Sequence, residues 1–429
     1  MENEAGFMGL QRVFVTGIGI VSSIGNDVQT VVDSLRSLKH GFEAFTPQNA
    51  SIPSQVKLAG TVKGFDVSSP DFEDWTLPAP YRIRRDVMRS LPPHGPYVHV
   101  SMAQAIESAG LEEPDISNLD TGIYTSSGGS TRLIHQNTTR LHQLGPMRCP
   151  PTGIVASIAG TLSFNLVAQF KIRGNSCGFS SACASSGHAM GFAYDDIALG
   201  RQKRMFVAAG EDLNDESLLP FSGMRALSLE SDPALASCPF DRRRNGFVST
   251  GGGAVLVLES EEEVLRRGVT PYAEVLGWGQ ASDGHNVAMS HPEGVGLVEA
   301  MQRALRSASL DASQVDYINA HATSTLVGDL SEGRAIKEVF GKQGHGPRVS
   351  STKALTGHGL SLASALEASI VSLSLKERFT PGSAHIRELD PEFEGVNVIR
   401  ETLDEGPRIA LSNSSGFGGA NVSLVLKKV

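Results

Sequence analysis

The sequence predicts an α/β protein built around buried, mixed β-sheets. Short apolar runs alternate along the chain with longer amphipathic stretches, a pattern typical of α/β folds. Several runs are apolar at successive positions, as expected for strands covered on both faces. The predicted strands are residues 13–15, 122–124, 205–209, 254–259, 272–276, 316–319 and 422–426, and the clearest predicted helices are residues 98–109 and 294–309.

Composition and charge narrow the class of protein. The 429 residues carry a net charge of −9, and 19% are charged whereas 40% are hydrophobic. An acidic chain lacks the basic field that nucleic-acid binding needs, so nucleic acid is not an expected partner. The sequence contains no run of about 18 apolar residues, so no membrane-spanning helix is predicted. The acidic N-terminus lacks the charged and then apolar regions of a secretory signal. The four cysteines have no Cys-x-x-Cys spacing, which favours free thiols and a cytoplasmic location.

A glycine-rich segment after the first predicted strand is a candidate nucleotide-binding turn. Residues 16–25 read Thr-Gly-Ile-Gly-Ile-Val-Ser-Ser-Ile-Gly. The dinucleotide fingerprint Gly-x-Gly-x-x-Gly requires a third glycine where this chain has Ser22. None of the six tyrosines is followed four residues later by lysine, as a short-chain dehydrogenase would require. The segment is therefore interpreted as a structural turn.

Two segments resemble each other and indicate an internal duplication. Residues 181–202 and 357–378 both begin with small residues and continue as predicted helices with Ala and Ser at close-packing positions. In this comparison Cys183 falls opposite Gly359, one residue from His358. Two similar halves would place these helix N-termini at equivalent points of the fold.

Cys183 is the candidate nucleophile. It lies in Ser-Ser-Ala-Cys-Ala-Ser-Ser-Gly-His at 180–188, between a predicted turn and a predicted helix. A helix N-terminus stabilises a thiolate through its dipole and free N–H groups, which predicts a lowered pKa for this thiol. A small, inert and buried cysteine is the alternative, and it suits Cys149, Cys177 and Cys238 better.

His321 and His358 are candidate acid–base or oxyanion-binding residues. His321 follows a predicted strand among small and hydroxyl residues, and His358 opens the second of the two similar helices. Near neutral pH, imidazoles transfer protons and donate hydrogen bonds to a developing oxyanion. A structural role is the alternative for either histidine alone. No His-x-x-x-His or paired-cysteine spacing supports a metal site.

Five ordered motifs, taken together, resemble those of the β-ketoacyl-acyl-carrier-protein synthases, in particular the type I and II elongation enzymes. The likeness extends from residue 13 almost to the C-terminus. The motifs are Ser-Ala-Cys-Ala-Ser at 181–185, Pro-Phe-Asp-Arg-Arg-Arg-Asn-Gly-Phe-Val at 239–248, His-Ala-Thr-Ser-Thr-Leu-Val-Gly-Asp at 321–329, Thr-Lys-Ala-Leu-Thr-Gly-His at 352–358 and Gly-Phe-Gly-Gly at 416–419.

The resemblance implies a thiolase-like fold, in which two pseudo-duplicated halves pack as a five-layer αβαβα arrangement, usually in a homodimer. We place the halves at residues 12–265, which carry the nucleophilic cysteine, and 266–429, which carry the catalytic histidines. The implied reaction is ping-pong. Cys183 takes an acyl group from a carrier-bound thioester, a malonyl-carrier then loses CO2, and the resulting enolate attacks the acyl group. His321 and His358 would bind the malonyl thioester oxygen.

Further roles follow from the same resemblance. Backbone N–H groups of Cys183 and Phe417 would form the oxyanion hole, and Lys353 and Glu332 would form a supporting charged pair. No metal or organic cofactor is expected, because the substrate carries its own phosphopantetheine. The expected substrate-binding residues are Thr323 and Thr325, on the pantetheine arm, with Ser415 and Gly128. The expected partner is the acyl carrier protein, and its candidate docking residues, which are equally consistent with a solvated helix face, are Arg82, Arg84, Arg85 and Arg89.

Three positions depart from the family pattern. Ser415 stands where the family has a phenylalanine that gates the acyl pocket, Asn245 replaces an aspartate, and Ala322 replaces a glycine. Loss of the ring at position 415 would widen the pocket. We therefore expect an unusual acyl group, such as a polyene, aryl or branched chain, in fatty-acid or specialised, polyketide-like biosynthesis.

Three other functions are considered. A non-catalytic chain-length-factor partner subunit typically lacks the cysteine found here at position 183. A degradative thiolase would need a second catalytic cysteine in the glycine loop at 412–421, which has none. A papain-like hydrolase would carry a Cys-Gly-Ser-Cys-Trp signature, which this chain lacks.

Overall fold

The computed structural model describes residues 10–79, 81–341 and 346–429; the N-terminal residues 1–9, used above to argue against a secretory signal, lie outside this range. The strands are β1 Val13–Val21, β2 Phe42–Ala44, β3 Leu58–Gly60, β4 Thr121–Ser126, β5 Ser176–Phe179, β6 Arg204–Glu211, β7 Gly252–Ser260, β8 Ala273–Ser282, β9 Tyr317–Asn319, β10 Arg348–Ser350, β11 Ile409–Gly416 and β12 Ala420–Lys427. The helices are α1 Val28–Arg36, α2 Arg85–Met88, α3 Gly95–Ala109, α4 Glu113–Ile116, α5 Thr131–Leu144, α6 Gly153–Ser157, α7 Leu162–Phe170, α8 Ser185–Ala198, α9 Asp215–Leu218, α10 Glu261–Arg267, α11 Val295–Ser307, α12 Leu326–Phe340, α13 Lys353–Thr356 and α14 Ala363–Glu377.

Ten of the described strands form one mixed sheet whose two halves repeat the same plan. Its order is β10-β9-β11-β12-β8-β1-β7-β6-β4-β5. In one half, β1, β7 and β6 pair antiparallel, and β6, β4 and β5 pair parallel. In the other half, β8, β12, β11, β9 and β10 repeat this series of pairings. The halves meet where residues 13–15 of β1 pair with residues 273–275 of β8.

Side-chain alternation along the strands produces five layers. In β7, Leu256 belongs to the central core, whereas Val255 and Val257 belong to an outer core, because successive residues of a strand face opposite sides. In β12, Leu424 faces the centre and Val425 the other outer core. Helices α8 and α14 fill the central layer, α3 and α7 cover one outer face, and α11 and α12 cover the other. The predicted thiolase-like αβαβα arrangement is confirmed.

Helix α14 is buried along almost its whole length. Every residue from Ala363 to Leu375 is buried, although many of them are serines. A buried hydroxyl must find a hydrogen-bond partner, and in a helix the carbonyl four residues earlier is within reach. Such bonds of 2.8–2.9 Å are made by Ser369, Ser372 and Ser374. None of the described helices is long and apolar enough to span a bilayer.

The predicted turn at residues 16–25 is wrong in its position, because β1 continues to Val21. Gly17 and Gly19 instead lie under helix α3. A Cβ atom on Gly19 would approach the carbonyl oxygen of Ser101 to 1.8 Å, and one on Gly17 would approach that of Ala105 to 2.5 Å. These glycines therefore let the helix pack directly on the strand.

Candidate active site

The loop between β5 and α8 presents Cys183 at the start of the central helix. Ala182, the residue before it, has a φ of +51°, in the left-handed region that non-glycine residues seldom adopt. The hydroxyl of Ser185 supports this turn, since it accepts the N–H of Ser181 at 2.8 Å and donates to the carbonyl of Ala182 at 2.6 Å. The turn leaves Cys183 buried beneath the loop.

Burial raises the pKa of the Cys183 thiol to about 12; the ammonium of Lys353 acts in the opposite direction, and the carboxylate of Glu211 adds to the rise. The prediction of a lowered pKa is therefore wrong. The helix N-terminus is close, but the thiol is removed from water, and within the described part of the chain its hydrogen-bond partner is His358. A base must take the thiol proton as the sulfur attacks.

His358 is placed to be that base. Its Nε2 lies 3.0 Å from Sγ of Cys183, and its ring is nearly perpendicular to that of His321, with centroids 5.3 Å apart. Burial, together with the charge of Lys353, holds the pKa of both imidazoles well below the usual range. Both histidines are therefore neutral at physiological pH, and each carries one N–H donor and one free lone pair.

No residue that the structure describes selects the tautomer of either histidine through its Nδ1 atom. The Nδ1 atoms of His321 and His358 are buried and have no hydrogen-bond partner among the described residues. Sγ of Cys183 and one ring nitrogen of each histidine lie within 4.8 Å of one another. Thiolate and imidazole are also zinc-ligand types, but no fourth such side chain of the described residues joins this group, and the absence of a metal remains a prediction.

Lys353 and Glu332 have separate roles, which corrects the predicted pair between them. Lys353 forms a buried ion pair with Glu367 of α14. Glu332 uses its two oxygens to accept the backbone N–H groups of His321 at 2.9 Å and Ala322 at 2.7 Å. The Lys353 charge still reaches Glu332 and favours its ionised form. Glu332 thus fixes the loop that carries His321, whereas Lys353 sets the local charge.

A cavity of about 320 Å³ leads to the catalytic trio of Cys183, His321 and His358. The predicted residues Thr323, Thr325, Ser415 and Phe417 all line it. The hydroxyls of the two threonines lie 3.2 Å apart. Gly128 does not line this cavity. Its N–H donates to Glu211 at 3.3 Å, so the structure does not bring this predicted substrate-binding residue to the trio.

The end of β11 approaches the backbone of the nucleophile. A Cβ atom on Gly416 would lie 2.5 Å from the carbonyl oxygen of Ser181 and 3.1 Å from the nitrogen of Cys183. Only glycine permits this contact. Beside it, Ser415 turns its hydroxyl to Oδ1 of Asn421 at 2.7 Å, and no aromatic ring fills position 415.

The predicted docking arginines are exposed but are not equivalent. Arg84 pairs with Asp86, and Arg85 pairs with Glu73. Arg82 and Arg89 form no ion pair with the part of the chain that the structure describes. A further exposed cation, Arg225, lines the mouth of the cavity, and sequence reasoning did not single it out.

Three other residues near the trio were not predicted. Glu367 is the counter-ion of Lys353, Glu211 raises the pKa of the nucleophile, and the ring of Phe247 meets that of His358 edge-on, with centroids 5.1 Å apart. One signal was available. Glu367 is the only charged residue in the apolar stretch 360–375, and a lone acid inside an otherwise buried helix implies a buried partner.

A buried cysteine that faces two neutral histidines on a duplicated αβαβα fold defines a thiolase-type condensing enzyme. Two family models cover most of the chain: the β-ketoacyl synthase N-terminal domain matches residues 10–264, and the C-terminal domain matches residues 272–387. The chain belongs to the β-ketoacyl synthase family.

Individual relatives agree with this family. The 3-oxoacyl-[acyl-carrier-protein] synthase 1 of Haemophilus influenzae is 39% identical over 98% of this chain and 99% of its own length. The enzyme of the same name from Escherichia coli K12 is 37% identical over 98% and 100%. Among solved structures, a β-ketoacyl synthase from Burkholderia phymatum STM815 superposes with a TM-score of 0.88 at 30% identity, over 98% of this chain and 100% of that one. The predicted family and enzyme class, a 3-oxoacyl-acyl-carrier-protein synthase, are confirmed.

Proposed function

We propose that this chain condenses an acyl group held on Cys183 with a malonyl group held on an acyl carrier protein, in fatty-acid or related biosynthesis. The observation that carries the proposal is the convergence of Cys183, His321 and His358 at the end of one cavity. Each half of the reaction makes a separate demand on this trio.

In the first half-reaction, Sγ of Cys183 attacks the carbonyl carbon of an acyl-carrier thioester while Nε2 of His358 takes the thiol proton. The tetrahedral oxyanion accepts hydrogen bonds from the backbone N–H groups of Cys183 and Phe417. One such donor typically contributes on the order of 3 kcal/mol to transition-state stabilisation. As the carbon–sulfur bond to the carrier breaks, His358 returns the proton to the carrier thiol.

In the second half-reaction, the malonyl-carrier loses its carboxylate as CO2, and the electron pair becomes an enolate on the thioester. The enolate oxygen accepts N–H bonds from His321 and His358. Its carbon then attacks the acyl group, and the Cys183 thiolate leaves. His358 must accept a proton in the first half-reaction and donate a hydrogen bond in the second, and its unpartnered Nδ1 supports this, because either tautomer is available.

Substrate delivery is the next part of the proposal. Thr323 and Thr325 hydrogen-bond the phosphopantetheine arm inside the cavity, and the reaction needs no other cofactor. The acidic carrier docks on the arginines near α2. Arg82 and Arg89 contribute most of this attraction, because the charges of Arg84 and Arg85 are offset by neighbouring acids.

The acyl group is proposed to be bulkier than a straight saturated chain. Ser415 lines the cavity and directs its hydroxyl to Asn421, so the space of a phenylalanine ring is left open. Acylation rates of wild type and Ser415→Phe with straight and branched or aryl acyl-carriers test this. The variant should lose the bulky acyl groups selectively, and equal preference for straight chains in wild type would contradict the proposal.

We further propose that the two halves of the chain divide at residue 265. Two copies of the chain are proposed to assemble through the exposed edge of β5. β5 lies at the end of the sheet with Ser176 and Cys177 exposed, and an unpaired strand edge favours pairing with another strand. Ile158 and Phe164, in the preceding segment, are also exposed. Light scattering should give twice the chain mass for wild type and a smaller mass for Ile158→Glu.

Intact-protein mass spectrometry tests the central reaction. Wild type should gain one acyl mass from an acyl-carrier and lose it as a 3-oxoacyl product when malonyl-carrier is added, whereas Cys183→Ala should gain none. If wild type loads no acyl group alone but does so with a second subunit, the chain is a partner subunit instead.

A further inference from the structure

His94 lies at the centre of a second buried polar cluster, outside the condensing site. Its Nδ1 lies 2.6 Å from Oδ1 of Asp212, and its Nε2 lies 2.8 Å from Oγ of Ser127. All three residues are buried. Asp212 follows β6, Ser127 follows β4, and His94 precedes α3, so the cluster joins two strand ends to the start of a helix.

The order Ser–His–Asp is that of the serine hydrolases, but the space at Ser127 does not admit an acyl group. The N–H of Gly129 donates to the Ser127 hydroxyl at 2.9 Å. The cavity that His94 and Ser127 both line has a volume of about 10 Å³, which is room for one water molecule. The cluster therefore acts through charge and position.

The charge of His94 comes from its carboxylate neighbours. Burial favours the neutral imidazole, but the charge and hydrogen bond of Asp212, with a further contribution from Glu211, raise the pKa of His94 above its usual value. The 2.6 Å contact with Asp212 therefore favours the protonated, positively charged form of His94. His99, one turn further along α3, is also largely buried, but burial lowers its pKa to about 4, so it is neutral.

Glu211, the residue before Asp212, depends on that charge. Burial raises the pKa of Glu211 to about 7, Asp212 adds to the rise, and His94 opposes it more strongly than any other group. Its Oε2 accepts the N–H of Ser361 and the N–H of Gly128, each at 3.3 Å, and also the Ser361 hydroxyl. A neutral carboxyl could still accept these bonds through Oε2, but an ionised carboxylate accepts them about twice as strongly.

Ser361 connects Glu211 to the condensing site. It lies three residues after His358, and its carbonyl accepts the hydroxyl of Ser186, three residues after Cys183, at 2.7 Å. The hydroxyl of Ser126 also donates to it, at 3.0 Å. Ser361 thus ties together the two segments that hold the 3.0 Å contact between Sγ of Cys183 and Nε2 of His358.

We propose that His94 is a positioning residue for the condensing site: its positive charge keeps Glu211 ionised, and Glu211 in turn holds Ser361 and the segment that carries His358 against Cys183. The proposal rests on the proposed function only in taking Cys183 as the nucleophile. Alkylation of Cys183 by iodoacetamide therefore tests it even if no acyl-carrier proves to be a substrate.

The experiment compares the pH dependence of Cys183 alkylation between pH 5.5 and 8.5, followed by intact mass. Wild type should show an inflection near pH 7, and His94→Gln should move it upward by about one pH unit, as expected when a close opposite charge is removed. Glu211→Gln should lack the inflection and should be alkylated more slowly than wild type at pH 8.5, whereas loss of the Glu211 charge acting directly on Cys183 would speed alkylation. Adding His94→Gln to Glu211→Gln should then change nothing more. His99→Gln, a buried histidine without a carboxylate partner, should match wild type.

Two results with the variants would overturn the proposal. One is a His94→Gln profile that coincides with those of wild type and His99→Gln. The other is an undiminished effect of His94→Gln in the Glu211→Gln background, because it would show that His94 acts by another route. A measurement on unaltered protein covers the case in which the variants do not fold. Nitrogen chemical shifts of 15N-labelled histidine in wild type should show His94 doubly protonated at pH 7, and a neutral ring would also refute the proposal.

Discussion

Replacement of Lys353 by methionine removes the ammonium of a fully buried ion pair and leaves Glu367 without its counter-charge. Both side chains are 2% exposed. Breaking a buried pair by removing one partner typically costs about 3–5 kcal/mol. Burial already raises the pKa of Glu367 to about 7, so this carboxylate takes up a proton once the lysine is gone. We therefore expect a loss of about 3 kcal/mol in the free energy of unfolding, at the low end of that range.

The double variant Lys353→Met/Glu367→Gln separates stability from reactivity. With both charges of this pair removed, it should regain all but about 1 kcal/mol of the lost stability. It should not regain nucleophile reactivity, because the Lys353 charge is what opposes the rise in the pKa of Cys183. Urea unfolding monitored by circular dichroism measures the first quantity, and the rate of Cys183 alkylation at pH 8 measures the second.

The exposed pair of Lys171 and Glu113 provides a matched control, since removing a surface ion pair typically costs at most about 1 kcal/mol. If Lys353→Met costs no more than Lys171→Met, the argument from burial fails. If the double variant regains alkylation as well as stability, Lys353 serves only as the counter-ion of Glu367.

Three further outcomes follow from the site geometry. Because His321 and His358 stay neutral, CO2 release from malonyl-carrier in the Glu211→Gln background, where the carboxyl that titrates near pH 7 is absent, should have a constant rate from pH 8 to 6, and a half-maximal rate near pH 6.5 would contradict this. Glu332→Gln leaves one of two backbone N–H groups without an acceptor. It should lower the free energy of unfolding in urea by about 1–3 kcal/mol and slow CO2 release. A variant equal to wild type in both measurements would contradict the role of Glu332. Gly416→Ala should slow acylation of Cys183 in the mass assay and, because its Cβ would meet backbone atoms, should cost about 1–3 kcal/mol in urea unfolding; wild-type acylation would show that the close backbone contact is dispensable.

The site residues that could be predicted from the sequence are those marked by their neighbours in the chain. Cys183 and His358 each open a helix of the central layer, and the similarity of those two segments was visible before the strands were known to repeat in the same order. His321 was visible as a histidine at a strand exit. These features depend on residues that are close in the chain.

The parts that were wrong depend on contacts between distant segments. The pKa of Cys183 is set by how much protein covers it, and no nearby residue reports that. The family resemblance predicted Glu332 as the partner of Lys353. In the structure the oxygens of Glu332 accept two backbone N–H groups, and the carboxylate that pairs with Lys353 is Glu367. The glycines of β1 were predicted to form a turn, whereas in the structure they allow helix α3 to pack closely on the strand.

The burial of α14 also affects how the protein fluctuates. Because both halves of the large sheet cover this helix, its backbone amides exchange with solvent only when the surrounding layers separate. They should therefore exchange with the free energy of global opening. The segment that carries His358 runs directly into this helix. Partial unfolding therefore offers reagents no separate route to the catalytic groups, and molecules that modify Cys183 in the native protein must enter through the cavity.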